Sequence, residues 1–399
     1  MSIPAALSRR RDYAGPALFS YGFRPFFLAG GVWAAFGILL WLPQYFGGLA
    51  MPTAFAPRDW HIHEMLYGYA AAVIAGFLLT AVPNWTGRLP VNGVPLAGLA
   101  VLWLAGRVAI AISAQIGAAP AAAIDLAFLV TLAAVLAREI VVGRNWGNLR
   151  VLAVLCVLIA GNAVFHLESI WSGAADYGVR IAVAAVILMI TVVGGRIVPS
   201  FTRNWLARRG AGRLPTPFGR FDMVSMIAGA LALAAWVVAP DEAATGLVLI
   251  AAGLIHAVRL ARWAGDRTFA DRLVLILHVG YAFVAIGFVL TGLAALWPAV
   301  PQSAGIHAWT AGAIGVTTLA VMTRATLGHT AQPLAASPGT QAIYLFAVIA
   351  AILRIVAAFE PSTVLLDLSA TAWVCAFGGF VVLYGPLLVG RPPSWSART

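Results

Sequence analysis

The chain has 399 residues, 62% of them apolar and only 10% charged, with a mean hydropathy of +0.92. A soluble domain carries roughly 25% charged and about 45–50% apolar residues, and no soluble protein of this length has an interior that hides so much apolar surface. The composition therefore excludes a soluble enzyme and specifies an integral membrane protein. All 25 basic residues are arginine, against 14 acidic ones, for a formal charge of +11. They sit in short segments between apolar runs, the pattern that orients membrane helices rather than one that grips nucleic acid. Cys156 and Cys375 each lie inside an apolar run, which excludes a disulfide framework and a thiolate metal motif.

Arg9, Arg10 and Arg11 precede an apolar stretch that is too long for the core of a signal peptide and has no small-residue cleavage site after it, so it reads as the first span. A span needs about 20 mostly apolar residues. On that rule there are twelve, at approximately 26–42, 61–82, 94–113, 121–142, 150–171, 177–198, 221–239, 243–263, 270–292, 304–324, 340–358 and 363–388. Pro43, Pro57, Pro90, Pro120, Pro240, Pro301, Pro338 and Pro361 punctuate the joins. The longest loop, from about Pro199 to Arg220, is rich in arginine and is expected at the lipid headgroups. With a cytoplasmic N-terminus, 21 arginines fall on inner segments and two, Arg58 and Arg180, on outer ones; Arg107 and Arg354 fall within spans. One span more or fewer would scramble that split. The sequence thus predicts an all-α polytopic protein of twelve transmembrane helices, both termini cytoplasmic, as a single membrane domain over residues 1–399. A short echo closes three even-numbered spans, in Ala81–Thr86, Ile197–Thr202 and Ala320–Arg324. A four-helix unit used three times would give that spacing, and so would chance.

Histidine placement carries the functional signal. His61 and His63 open the second span, His166 lies near the end of the fifth and His307 opens the tenth, which places all four near the outer face. His256 and His278 share a depth of about 10–12 Å below the inner face at 1.5 Å per helical residue, and His329 follows the tenth span. Polar groups at membrane depth are costly and mark functional sites, and imidazole is the commonest metal ligand. In Trp60-His61-Ile62-His63-Glu64-Met65, His61 and Glu64 share a helical face and His63 points elsewhere. Either the helix starts irregularly around the two histidines, or they serve two sites.

Each candidate has a plainer reading beside it. An interfacial histidine is often a cap or headgroup contact, and His256 with His278 reads equally as a hydrogen-bonded pair or as two axial ligands of one haem. Arg107 is open to a haem propionate, to Asp125 or to the headgroups, whereas Arg354 reads as a snorkelling side chain. Asp125 and Asp367 read as cap residues, Glu168 as a possible partner of His166, and Tyr67 and Tyr69 as marginal site candidates.

Several motifs are specific in combination. Tyr21-Gly22-Phe23-Arg24-Pro25-Phe26-Phe27-Leu28, Trp60–Met65 and Gly76-Phe77-Leu78-Leu79-Thr80-Ala81-Val82-Pro83-Asn84-Trp85-Thr86-Gly87 come first. Gly194-Gly195-Arg196-Ile197-Val198-Pro199-Ser200-Phe201-Thr202 and Met322-Thr323-Arg324-Ala325-Thr326-Leu327-Gly328-His329-Thr330 follow. Together they resemble the NnrS family over nearly the whole chain; the departure is Ala331-Gln332, where the family pattern has Gly-Arg. The resemblance implies a multi-pass protein of the bacterial inner membrane that contains haem of b type and copper and serves the response to nitric oxide.

On this basis the leading expectation is nitric oxide reduction to nitrous oxide with quinol as electron donor. His61, His63, His166 and His307 would hold the reactive metal and Glu64 would donate protons. His256, His278, Arg107 and Arg196 would bind the second cofactor. The alternatives are a non-enzymatic nitric oxide sensor or sink and a secondary transporter, although the midplane is nearly bare of the polar groups a transporter uses. The lack of an adjacent His-His pair and of a late His-x-His argues against an ordinary haem–copper oxidase.

Overall fold

The computed structural model describes residue 13 and residues 15–390, so Arg9, Arg10, Arg11, Arg391 and Arg398 lie outside the described residues. The chain is 81% helical, with no strand among the described residues. Twelve helices are long and apolar enough to cross a membrane: α1 (Phe23–Tyr45), α2 (Pro57–Thr86), α3 (Gly93–Ala111), α4 (Ala118–Val142), α5 (Trp146–Ser172), α6 (Tyr177–Leu206), α7 (Arg220–Val238), α8 (Ala243–Arg267), α9 (Arg272–Leu296), α10 (Gln302–His329), α11 (Pro338–Phe359) and α12 (Thr363–Val389).

The ends follow local chemistry. α2 opens on Pro57, whose missing N–H costs nothing there, with Asp59 in its first turn, and stops where Gly87 adopts φ 69°. The Asp271 carboxylate accepts the Leu273 and Val274 N–H groups at 3.0 and 3.2 Å to start α9. Ser337 accepts the Thr340 N–H to start α11, with Pro338 at its first position.

Several helices run past the ends expected from hydropathy, α2, α6 and α10 among them. α2, α6 and α10 continue to Thr86, Leu206 and His329, so Pro83 and Pro199 sit inside helices, as Pro43 does in α1 rather than at a join. Side chains bond to carbonyls of the affected turns: Asn84 Nδ2 donates to Thr80 O at 3.0 Å, Thr86 Oγ1 to Val82 O at 2.9 Å and Thr202 Oγ1 to Val198 O at 2.8 Å. The arginine-rich loop therefore begins beyond Leu206, and Arg203 is helical. His329 is not a loop residue but the last residue of α10, with its ring 5.3 Å from those of both Tyr21 and Phe23.

The sequence reads as one uninterrupted membrane domain, and within it the helices pack as two compact units. The first is built on α1–α5 up to Val179, with Ala325–Pro333 and the chain from Phe380. In it α2 is the central helix, packed by α1 on one side and α4 on another, and α4 also packs on α3 and α5. The second unit comprises Arg180–Arg324 and Leu334–Gly379; there α9 lies against α8 and α10, α8 against α7, and α10 against α11.

Two helices change pitch midway. α2 is π-helical over Glu64–Ala70 and α10 over Ala308–Val316, in each case starting at the residue after a histidine. Such widened turns are uncommon and concentrate at functional sites.

Candidate metal centre

In the first unit, α2, α3, α4 and α5 bring a set of polar side chains together inside otherwise apolar helices. His63 and Glu64 come from α2, Arg107 from α3, Asp125 from α4, and Asn162 and His166 from α5; all six are buried. The π turn that begins at Glu64 sets His63 and Glu64 side by side, with His63 Nδ1 3.1 Å from Glu64 Oε1. Arg107 Nη1 donates to both Glu64 oxygens at 2.7 and 2.8 Å, its Nη2 donates to Asp125 Oδ1, and Trp33 Nε1 donates to Glu64 Oε2 at 2.6 Å. Asp125 Oδ2 accepts from Asn162 Nδ2 at 2.7 Å and lies 3.2 Å from His166 Nε2.

These bonds assign the tautomer of His63. A carboxylate only accepts, so Nδ1 carries the hydrogen that goes to Glu64, and Nε2 of the neutral ring keeps its lone pair. That Nε2 points at Asp125 Oδ2 from 3.2 Å, outside hydrogen-bonding geometry, and has no hydrogen-bond partner. With the ring neutral, two electron-rich atoms face each other in a dry interior, an arrangement that calls for a cation, a proton or a metal ion, between them. Glu64 and Asp125 bring two carboxylates and Arg107 one guanidinium, so one more positive charge, an imidazolium at His63 or a metal ion, would balance the cluster.

The donor set fits a metal ion. His63, Asp125 and His166 each offer one ligand atom, all within 4.8 Å of one another. Tetrahedral ligands at about 2.0–2.2 Å from a metal are about 3.3–3.6 Å apart, and both imidazole nitrogens are 3.2 Å from Asp125 Oδ2. Two imidazoles and one carboxylate suit copper, iron or zinc. Were a metal bound, Glu64 would be the second-sphere carboxylate that fixes the orientation of His63. Three further buried atoms of this cluster have no hydrogen-bond partner: Tyr67 Oη, Asn162 Oδ1 and Arg107 Nε.

Of the four outer histidines expected to share a centre, the structure brings His63 and His166 together. His61 turns away and stacks on Trp41 with ring centroids 4.1 Å apart. His307 belongs to the second unit, where its Nδ1 is 2.6 Å from the Ser303 carbonyl. Glu168 does not approach His166; its carboxylate accepts the Asp176, Tyr177 and Gly178 N–H groups at the start of α6. Arg107 takes the Asp125 alternative and adds Glu64, while Arg196 is exposed on α6. Asp125 is not a cap residue but the centre of the cluster, and Asn162, Trp33 and Tyr67 join it.

His256 and His278 turn to separate partners in the second unit. His256 Nδ1 is 2.9 Å from Tyr281 Oη, which also accepts from Arg259 Nη1 at 2.9 Å, and Arg259 Nε donates to Asp222 at 3.0 Å. The other nitrogen of His256 lies against α7, where a Cβ on Gly229 would come within 2.6 Å of it. Thr202 spends its hydroxyl hydrogen on Val198 O, so His278 Nε2 must donate to Thr202 Oγ1 at 2.8 Å, and His278 Nδ1 lies against Gly265. The two rings therefore do not bond to each other, and each keeps one buried nitrogen, His256 Nε2 and His278 Nδ1, without a hydrogen-bond partner.

A comparison with curated proteins returns no match. The family model described as NnrS protein matches residues 17–391, nearly all of the described chain. The ordered motifs and the twelve-helix architecture agree with that match, and the chain belongs to the NnrS family.

Proposed function

We propose that this membrane protein binds nitric oxide at a copper ion held by His63, Asp125 and His166 and reduces it to nitrous oxide. Family membership supports a role in the nitric oxide response. The observation that carries the reading is the convergence of two imidazole nitrogens on Asp125 Oδ2, one of them with an unshared lone pair. The overall reaction takes two NO, two electrons and two protons to N₂O and water, with quinol as electron donor. Bound copper would supply one-electron redox chemistry and a coordination position for NO. The protein's part is to hold that position dry and rigid. Arg107 clamps both carboxylates, Glu64 fixes the His63 tautomer, and Asn162 steadies Asp125. The arginine asymmetry supports a bacterial inner-membrane orientation with both termini cytoplasmic. Haem of b type completes the cofactor set in this reading.

Glu64 was expected to be the proton donor, yet its two oxygens accept from Trp33, Arg107 and His63. That saturation casts it as a positioning residue, and it favours a second reading in which NO is bound without turnover, as in a sensor or sink. Metal analysis of the detergent-purified protein, followed by NO consumption and N₂O release with a quinol analogue, separates the two. Copper stoichiometric with the chain, lost in His63→Ala, His166→Ala and Asp125→Asn, with N₂O released by the wild type, is the expected result. NO binding without N₂O leaves the sink. Copper that survives all three substitutions overturns both readings.

A further inference from the structure

The end of the second unit where α6 and α8 stop and α7 and α9 begin carries a dense concentration of charge. Residues 203–220 and 262–272 hold eight arginines against two aspartates, Asp266 and Asp271. Asp271 spends its carboxylate on the Leu273 and Val274 N–H groups, and Asp266 pairs with Arg213. Arg208, Arg209, Arg220 and Arg272 are exposed and meet no carboxylate within ion-pair distance among the described residues. Orienting the helices in a membrane needs such charge but no fixed place for it.

Here the charge has a fixed place, because the two segments are tied together. Thr216 N–H donates to Arg262 O at 3.0 Å, Arg213 Nη1 to Ala261 O at 3.2 Å, and Arg267 Nη1 to Arg213 O. Arg203 Nη2, from the last turn of α6, donates to Pro215 O at 2.9 Å. Arg209 stands over the Trp205 ring and Arg262 over the Phe221 ring, each at 4.8 Å. Phe201 lies one turn before Trp205 on α6. Arg324 of α10 covers it at 4.2 Å and keeps its Nη1 buried without a hydrogen-bond partner. A buried donor left unmade is costly, and like charges held in order repel one another. An anion from outside the chain relieves both.

Two phenylalanines identify the source of that anion. Phe218 and Phe269, one in each segment, are 54% and 62% exposed. Apolar rings among arginines at the ends of membrane-spanning helices match the boundary between headgroups and acyl chains, where basic pockets between helices take phospholipid phosphates. A free phosphate would gain nothing from the rings. We propose that this end of the second unit is a binding site for an anionic phospholipid, with the phosphate on the arginines of both segments and the chains against Phe218 and Phe269. The site requires neither copper nor haem and stands whether or not nitric oxide is reduced.

The test uses full-length protein, delipidated in neutral detergent and titrated with phosphatidylglycerol, phosphatidylcholine or inorganic phosphate while its melting temperature is followed. Native mass spectrometry counts the lipid retained. Phosphatidylglycerol is expected to raise the melting temperature and to be retained in preference to phosphatidylcholine, and inorganic phosphate to give no such rise. An arginine at an anionic surface contributes roughly fivefold to affinity. The triple variant Arg208→Gln, Arg209→Gln, Arg220→Gln is therefore expected to need about a hundredfold more phosphatidylglycerol for half of the effect. A matching triple, Arg138→Gln, Arg144→Gln, Arg150→Gln, removes as many exposed arginines from the first unit and is expected to bind as the wild type does. An unchanged melting temperature without lipid shows that a variant is folded, and the comparison of the three ligands on the wild type decides the matter without either variant. Phosphatidylglycerol no better than phosphatidylcholine, or a full rise with inorganic phosphate alone, overturns the proposal. So does an absence of loss in the first triple, or an equal loss in both.

Discussion

Arg107 is the charge on which the first unit's interior depends. It lies between Glu64 and Asp125, and all three are buried inside membrane-spanning helices. Replacing it with methionine keeps the aliphatic stem and removes the guanidinium. Removing one partner of a buried ion pair costs about 3–5 kcal/mol, because the other charge is stranded. Here two carboxylates are stranded at once, which puts the penalty at roughly 6–10 kcal/mol on the same scale, comparable with the whole stability of a typical domain at about 5–15 kcal/mol. Arg107→Met is thus expected to yield little monodisperse protein after mild heating, measured by size exclusion in detergent. The triple variant Glu64→Gln, Arg107→Met, Asp125→Asn removes every formal charge of the cluster, and replacing a buried ionic group by neutral residues is often tolerated. It is expected to recover most of the lost stability but none of the metal. If metal-free Arg107→Met proves as heat-resistant as metal-free wild type, the ion triad does not hold the unit together and the charge argument fails.

Glu64→Gln is expected to weaken copper binding about 10–100-fold, as the loss of a second-sphere carboxylate does, read by competition with a chelator. Gly68→Ala would drive a Cβ to 2.5 Å from Trp33 Nε1 and 2.8 Å from Glu64 Oε2. An overpacking cost of about 1–3 kcal/mol is expected to appear as a lower melting temperature, together with weaker metal retention. His256→Leu removes a hydrogen bond to Tyr281 worth about 0.5–1.5 kcal/mol. It is expected to leave both copper and haem content unchanged, and loss of either would restore His256 as a cofactor ligand.

The helix count was legible because each span advertises itself through a run of apolar residues, and the arginine asymmetry penalised any miscount. The ends of α2 and α6 were not, because Pro83 and Pro199 read as stops, nor was that of α10, where Arg324 closes the apolar run. His63 and His166 stood out as histidines gathered near one face and Arg107 as a charge within a span. Asp125 was masked by its position near the start of an apolar run, where a cap is the ordinary role, and Asn162 as a neutral amide drew no notice. Both carried the same signal as the histidines, a polar group within a span, read with too little weight. The pairing of His256 with His278 as hydrogen-bond partners failed for a different reason. Equal depth fixes one coordinate of a side chain, and the direction in which it leaves the helix is set by packing, which turns one ring to Tyr281 and the other to Thr202.

The adjacency of His63 and Glu64 depends on the π turn, so the origin of that turn decides whether the metal site is built in advance or made by the metal. A second helix answers the question, since α10 also turns π-helical at the residue after a histidine, His307, six residues beyond a proline as His63 is. α10 changes pitch at the same register although Ala308 stands where Glu64 does and cannot join any metal, carboxylate or guanidinium contact. What the two helices share is the packing of Gly68 on Trp33 and Gly312 on Phe283, and of Met65 and Trp309 on the glycines of the preceding helix. The wider turn is therefore a product of helix packing, and a metal site at His63 would be shaped before an ion arrives. Hydrogen exchange of the protein with and without copper tests this: protection across Glu64–Ala70 is expected to be the same in both states, as is that across Ala308–Val316. Protection that appears in α2 only when copper is bound would mean that the metal writes its own geometry, and the resemblance between the two π segments would then have no structural cause in packing.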